Sequence, residues 1–239
     1  MPPFLLFDGY GTLLELDDFY ARLQSGFARR GARFSSEAIR RAARVEMKHY
    51  IANAMRARDE PSREILRLEC AGVLADELRA EQYSFDWKDE AVREVLVEAL
   101  VFRAFPEVEA ALRELTARGV EMGVLSNWDF GLSHELEKLG LAQYFRFVLT
   151  SAQCGAQKPE RAIFELGLQN ARQEYCSVGD LACFYIGDHY ENDVLGARAA
   201  GLFPLWLVRD ERDVAAGETH EANDEVARLS SLQDLPRLA

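Results

Sequence analysis

Residues 4–14 of this 239-residue chain restrict what it can fold into more than any other stretch. Phe4-Leu5-Leu6-Phe7 is an unbroken apolar run that ends in a carboxylate, Asp8, and is followed by Gly9, Tyr10, Gly11 and Thr12. A run this short, bounded by turn residues, predicts a strand buried on both faces, as parallel sheets require. Asp8 then stands at the strand's carboxyl end, where open α/β sheets hold their ligands. Gly9 and Gly11 let the backbone turn sharply and approach a small anion. An aspartate closing a strand is also a common turn-maker or helix cap, so the stretch alone does not assign its role.

From Leu14 the pattern changes to helix for about eighty residues. Helical spacing puts Phe19, Leu23 and Phe27 on one face, with Asp17 or Asp18 as cap and Gly31 as stop. Ser35 or Ser36 caps a second helix bearing Ile39, Ala43, Met47, Tyr50 and Met55. Pro61 suits the first turn of a third helix with Ile65, Leu68 and Val73, and a fourth begins near Asp86. No strand pattern interrupts the block, so it reads as a helical bundle inserted into an α/β chain.

After Pro106 the chain alternates between strand and helix. Predicted strands at 120–125, 145–149, 183–186 and 203–208 are separated by helices that stop at Gly119, Gly140 and Gly201. Such alternation means parallel βαβ units with right-handed crossovers. The carboxyl ends of parallel strands share one edge, so Asp8, Ser126, Lys158 and Asp188 converge there. The expected fold class is α/β: a Rossmann-like parallel-sheet core from residues 1–15 and 101–239, with an α-helical cap from 16–100. Residues 218–225 read as a solvated loop, and Ser230–Leu238 as a closing helical turn.

A formal charge of −12 repels phosphate backbones and argues against nucleic acid as a partner. It does not exclude a small phosphorylated substrate, because a bound cation reverses the local field. No apolar stretch approaches the roughly 20 residues that span a bilayer, so no membrane partner is expected. The first strand comes too early to leave room for a signal peptide. Cys70, Cys154, Cys176 and Cys183 lack metal-like spacing and read as reduced thiols in a cytoplasmic protein. The oligomeric state is not encoded in any pattern found.

Taken together, Asp8-Gly9-Tyr10-Gly11-Thr12, Leu125-Ser126-Asn127, Lys158-Pro159 and Gly187-Asp188-His189-Tyr190-Glu191-Asn192-Asp193 resemble the four motifs of the haloacid dehalogenase (HAD) superfamily. The closest branch carries a helical cap between motifs one and two, and the resemblance covers nearly the whole chain. It implies that Asp8 is a nucleophile forming a covalent intermediate that water resolves. Gly9, Thr12, Ser126, Asn127 and Lys158 would hold the transferred group, with Lys158 neutralising developing charge. Asp8, the backbone carbonyl of Tyr10, Asp188 and Asp193 would bind Mg²⁺, a hard cation suited to oxygen donors. Asp193 could instead brace Lys158 or cap the next helix. The cap would close over the pocket and choose the substrate.

One position departs from the phosphatase pattern. Tyr10 stands where these enzymes usually place a second aspartate, the acid–base group. A phenol with an ordinary pKa of about 10 is a reluctant acid at neutral pH. Losing a positioned acid–base group costs about 10²–10⁴-fold, so substrates with good leaving groups are favoured. Tyrosine here also resembles the metal-independent L-2-haloacid dehalogenases, whose substrate-gripping arginine would correspond to Arg41. Those enzymes, however, place serine where this chain has Asp188. The expected activity is therefore Mg²⁺-dependent hydrolysis of a small phosphorylated metabolite through an aspartyl-phosphate on Asp8. Dehalogenation, or a low-activity binding module on the same fold, are the alternatives. His134 and His189 read as exposed or facing the cap, and Trp128 and Phe130 as lining the pocket or packing on the cap.

Overall fold

Phe4–Phe7 form β1, whose four residues are all buried. In the computed structural model, which describes residues 3–81, 85–175, 182–209 and 226–237, this strand lies inside a six-stranded sheet. The other members are β4 (Glu121–Ser126), β5 (Val148–Thr150), β6 (Cys183–Gly187), β7 (Phe203–Leu207) and β8 (Ala227–Leu229). Their order is β5-β4-β1-β6-β7-β8, and every pairing is parallel. The Rossmann-like α/β class expected from the alternation is the class observed. With β1 between β4 and β6, the chain reverses its strand order at β1, which opens a crevice beyond its carboxyl end.

Helices α5 (Val108–Ala117), α6 (Leu132–Lys138), α7 (Ser151–Cys154), α8 (Arg161–Tyr175) and α9 (Gly196–Ala199) connect these strands. On one side of the sheet, Phe4, Leu6 and Leu125 form a buried cluster with Ile163, Phe164, Tyr185 and Ala197. The large apolar residues of α8 thus anchor the helix that Lys158 precedes. Among the described residues, no helix is long and apolar enough to cross a membrane.

The chain divides into two compact units, one made of Met1–Glu15, Ala104–Asn127 and Gly131–Ala239, the other of Leu16–Arg103 and Trp128–Phe130. The second contains α1 (Phe19–Arg29), α2 (Ser36–Asn53), α3 (Glu60–Glu81) and α4 (Asp89–Ala99). Ser35 caps α2 by accepting from the Ala38 amide at 3.1 Å, as a serine at that position does best. Phe27, Phe34 and Phe85 meet edge to face at the centre, with ring centroids 5.1–5.9 Å apart. Leu23, Ile39, Leu74 and Val95 complete that core.

Three details differ from the sequence reading. β2 (Leu14–Leu16) and β3 (Phe102–Ala104) pair as a two-stranded sheet that sequence periodicity did not reveal. Three-residue strands are too short for an alternating pattern to register. β8 escaped for the same reason. Trp128–Phe130, read as part of the α/β core, belongs to the helical unit. There Trp128 packs on Phe102 at 5.1 Å, the Phe130 amide donates to Ala57 O at 3.0 Å, and Tyr50 donates to Asp129 Oδ2 at 3.1 Å. A 3-10 turn, Leu232–Arg237, occupies the expected closing segment. Cys176 and the expected loop at 218–225 lie outside the described residues.

Candidate active site

Three strand ends and one segment before a helix build the site. Asp8 follows β1, Ser126 closes β4, and Gly187-Asp188 closes β6, while Lys158 enters from the segment before α8. Asp8 is buried, and its Oδ1 accepts from Ser126 Oγ at 2.8 Å and from Lys158 Nζ at 2.7 Å. Among the described residues no side chain donates to Oδ2. The Asp8 amide donates to Ile186 O at 2.9 Å, which continues the β1–β6 ladder and fixes where the carboxylate starts.

Lys158 is buried at 4% exposure, so its charge survives only because carboxylates meet it. Its ammonium donates to Asp8 Oδ1, to Asp193 Oδ1 at 2.5 Å and to Tyr185 Oη at 2.8 Å. Burial alone would lower the lysine pKa, but Asp193 and Asp8 outweigh it and hold the group above its ordinary value. The backbone on which it stands is pinned by Asn127. That side chain donates to Lys158 O at 2.9 Å and accepts from Lys158 N at 2.7 Å.

Asp188 and Asp193 lie on either side of a tight turn. Asp193 is buried, with Oδ1 on Lys158 and Oδ2 accepting from the His189 amide at 2.9 Å. A Cβ at Gly187 would lie 2.3 Å from the Asp193 carboxyl, so glycine is required for the turn to fold back on its own acid. Gly11, at φ +82°, stands in the same relation to Asp188: a Cβ there would lie 2.2 Å from Asp188 Oδ2. Thr12 Oγ1 donates weakly to Asp188 Oδ1 at 3.4 Å, and Trp206 Nε1 holds the Asp188 carbonyl at 3.0 Å.

Asp8, Asp188 and Asp193 each offer an oxygen within 4.8 Å of the others. Among the described residues the one ammonium here pairs with Asp8 and Asp193, not with Asp188. The Asp188 residue is exposed to solvent on one side, yet its carboxyl titrates as a crowded group. It is pushed up to about 8, first by the protein atoms around it and then by the charges of Asp8 and Asp193. A set of hard oxygen donors with excess negative charge fits a hard divalent cation.

Asp8, Ser126, Lys158, Asp188 and Asp193 come together directly. Gly9 lies beneath Ser126, with its notional Cβ 3.1 Å from Oγ. Thr12 faces Asp188, and the Asn127 side chain is spent on Lys158. Tyr10 is on the same loop with its side chain 45% exposed. Arg41 pairs with Glu81 at 2.6 Å on an exposed helix face. His134 is exposed beside Glu137, and His189 accepts from the Asn192 amide at 3.3 Å.

Sequence reasoning missed Tyr185, Trp206 and Arg209. Tyr185 and Trp206 sit in apolar strand runs, where an aromatic reads as core. Arg209 follows β7, donates to Thr12 O at 2.6 Å and to Gly11 O at 3.4 Å, and pairs with Glu107. Its guanidinium also stacks 3.8 Å from the Phe105 ring centroid. It thereby holds the loop that carries Asp8.

A family model described as haloacid dehalogenase-like hydrolase matches residues 4–201, spanning all four motifs. The chain belongs to the HAD-like hydrolases. It is 33% identical over 135 residues to haloacid dehalogenase-like hydrolase domain-containing protein 3 of Danio rerio, covering 56% of this chain and 52% of that protein. It is 35% identical over 111 residues to a phosphoserine phosphatase of Thermus thermophilus, covering 45% and 42%. The chain thus spans about half the length, or less, of these relatives. Among solved folds, the HAD-hydrolase YfnB from Bacillus subtilis bound to magnesium gives a TM-score of 0.68 at 15% identity, covering 99% of this chain and 98% of that one. L-2-haloacid dehalogenase from Xanthobacter autotrophicus gives 0.66 at 17%, covering 100% and 98%. These likenesses concern the fold, which hosts both chemistries. The family is one of hydrolases, and some of the relatives are named as phosphatases.

Proposed function

We propose that this HAD hydrolase is a Mg²⁺-dependent phosphohydrolase of a small phosphorylated metabolite, acting through an aspartyl-phosphate on Asp8. The observation that carries the reading is Asp188. A third acid facing Asp8, with one lysine between three carboxyls, has a use when a cation joins the site. In its ionised form Asp188 would repel a haloacid's carboxylate. Asp8, the Tyr10 carbonyl and Asp188 would hold the ion, with Asp193 committed first to Lys158. Bound Mg²⁺ supplies Lewis-acid polarisation of a phosphoryl oxygen and neutralises charge.

The chain's own residues do the rest. Oδ1 of Asp8 is held by Ser126 and Lys158, which orients Oδ2 as the attacking oxygen. The positive charge of Lys158 beside Asp8 offsets charge that develops on the transferred group, and the Asn127 N–H would be its donor. Tyr10 gives no ready acid, so aryl or acyl phosphates, whose leaving groups need little protonation, are the substrates turned over best. Relatives named phosphoserine phosphatase and glyceraldehyde 3-phosphate phosphatase support phosphoryl chemistry without assigning the metabolite. The helical unit is the part proposed to select it, and the protein is proposed to work in the cytoplasm.

The test is phosphate release from p-nitrophenyl phosphate with and without Mg²⁺, beside chloride release from 2-chloropropionate. Mg²⁺-dependent phosphate release without chloride release is the expected result. Chloride release that EDTA leaves intact overturns the reading.

A further inference from the structure

Tyr185 is buried in β6, at 0% exposure, and its hydroxyl makes two hydrogen bonds of opposite sense. It donates to Leu125 O at 2.7 Å and accepts from Lys158 Nζ at 2.8 Å. The sheet order puts β1 between β4 and β6, so this hydroxyl reaches over the nucleophile's own strand to join its two neighbours. The ring is fixed edge-on by Phe164 at 5.2 Å. A hydroxyl has one proton, and Leu125 takes it. The lone pairs are therefore the only part of the group that can face the ammonium.

An ammonium has three protons. Those of Lys158 go to Asp8, Asp193 and Tyr185, so the donor set is complete and its orientation fixed. Burial, and then the neighbouring acids, hold the phenol well above its ordinary pKa, which keeps the hydroxyl neutral. A third carboxylate in its place would add charge to a site already rich in acids. A neutral acceptor completes the coordination without that cost.

We propose that Tyr185 is a positioning residue for the hydrolysis: its hydroxyl holds the Lys158 ammonium against Asp8 by occupying the third proton and withdrawing Leu125 O as a competing acceptor. The proposal rests on the phosphohydrolase reading for its kinetic consequence, but not for its structural one. Without the hydroxyl, one ammonium proton and the Leu125 carbonyl both lose their partner in a dry interior. The simplest repair swings Lys158 toward Leu125, away from Asp8.

The test is Tyr185→Phe, which keeps the ring and its packing on Phe164. Its first measurement is the exchange of the Lys158 ammonium protons with water, followed by NMR of ¹⁵N-lysine-labelled protein with the resonance assigned through Lys158→Arg. Exchange at least about tenfold faster than in the parent is expected, because one of three charge-assisted hydrogen bonds has gone. The second is p-nitrophenyl phosphate turnover. A fall in kcat of about tenfold or more, with KM changed less than about twofold, is expected from the loss of a bond to a charged group. A purely structural role would lower the folded fraction and leave the exchange rate of folded protein alone. Unchanged exchange, or unchanged kcat in folded Tyr185→Phe, overturns the proposal. If the parent itself shows no phosphate release, the phosphohydrolase reading fails, and the exchange measurement still decides the contact.

Discussion

Two buried acids, Asp193 of the α/β unit and Glu46 of the helical unit, live under opposite rules. Asp193 is 1% exposed and meets an ammonium and a backbone amide. Glu46 is 5% exposed in α2, and the Cys70 thiol beside it is also buried. Burial pushes Glu46 up to about 7, against which the Cys70 contact works only slightly. The contrast teaches where this molecule keeps charge. At the strand ends, Asp8 and Asp193 are buried against the Lys158 ammonium. In the helix bundle, burial makes the neutral form of the acid the easier one to keep.

The hardest blow to that contrast is Lys158→Met, which strips the counter-ion from Asp8 and Asp193. Breaking a buried pair in this way costs about 3–5 kcal/mol, and urea unfolding near pH 7 should show it. A loss below about 1 kcal/mol would mean that the acids do not depend on the lysine.

Glu46→Gln is next. The folded value of about 7 lies above the ordinary 4.5, so the folded state binds the extra proton between those limits. Stability from this group is present below about pH 4.5 and is lost as pH rises to about 7. At pH 8 the variant should be more stable than the parent by about 3 kcal/mol, an effect that vanishes near pH 4. Parallel stability–pH curves for the two proteins would show that Glu46 is not held neutral.

Tyr10→Asp tests the other end of the scale, where an exposed side chain meets the reaction. Restoring an acid–base group should raise turnover of alkyl phosphates by about 10²-fold while changing aryl phosphates much less. An equal gain on both would point away from leaving-group protonation. The smallest effect is expected from Asn127→Ala. It removes two bonds to the Lys158 backbone, and about 1–2 kcal/mol of thermal or chemical stability should go with them.

The contrast also marks what could be read in the sequence. Asp8, Ser126, Lys158 and Asp188 were legible because strand ends converge in a parallel sheet, whatever the distance along the chain. Glu46 was not, since a glutamate on an amphipathic helix ordinarily faces water. Arg41 lies on α2 in an exposed pair with Glu81, as an arginine on a helix ordinarily does. Tyr185 was hidden because a tyrosine in an apolar run looks like packing, and only the positions of Lys158 and Leu125 reveal its hydroxyl. Short strands such as β2 and β8 carry too few residues for periodicity to speak.

The central claim is that Asp8 carries the phosphoryl group, and trapping that ester tests it most directly. Protein mixed with a ³²P-labelled acyl phosphate and Mg²⁺ would be quenched in acid, digested and mapped by mass. The account predicts hydroxylamine-sensitive label on the peptide containing Asp8, lost with EDTA and absent from Asp8→Asn. Turnover with no label on that peptide, or label that persists in Asp8→Asn, would contradict it.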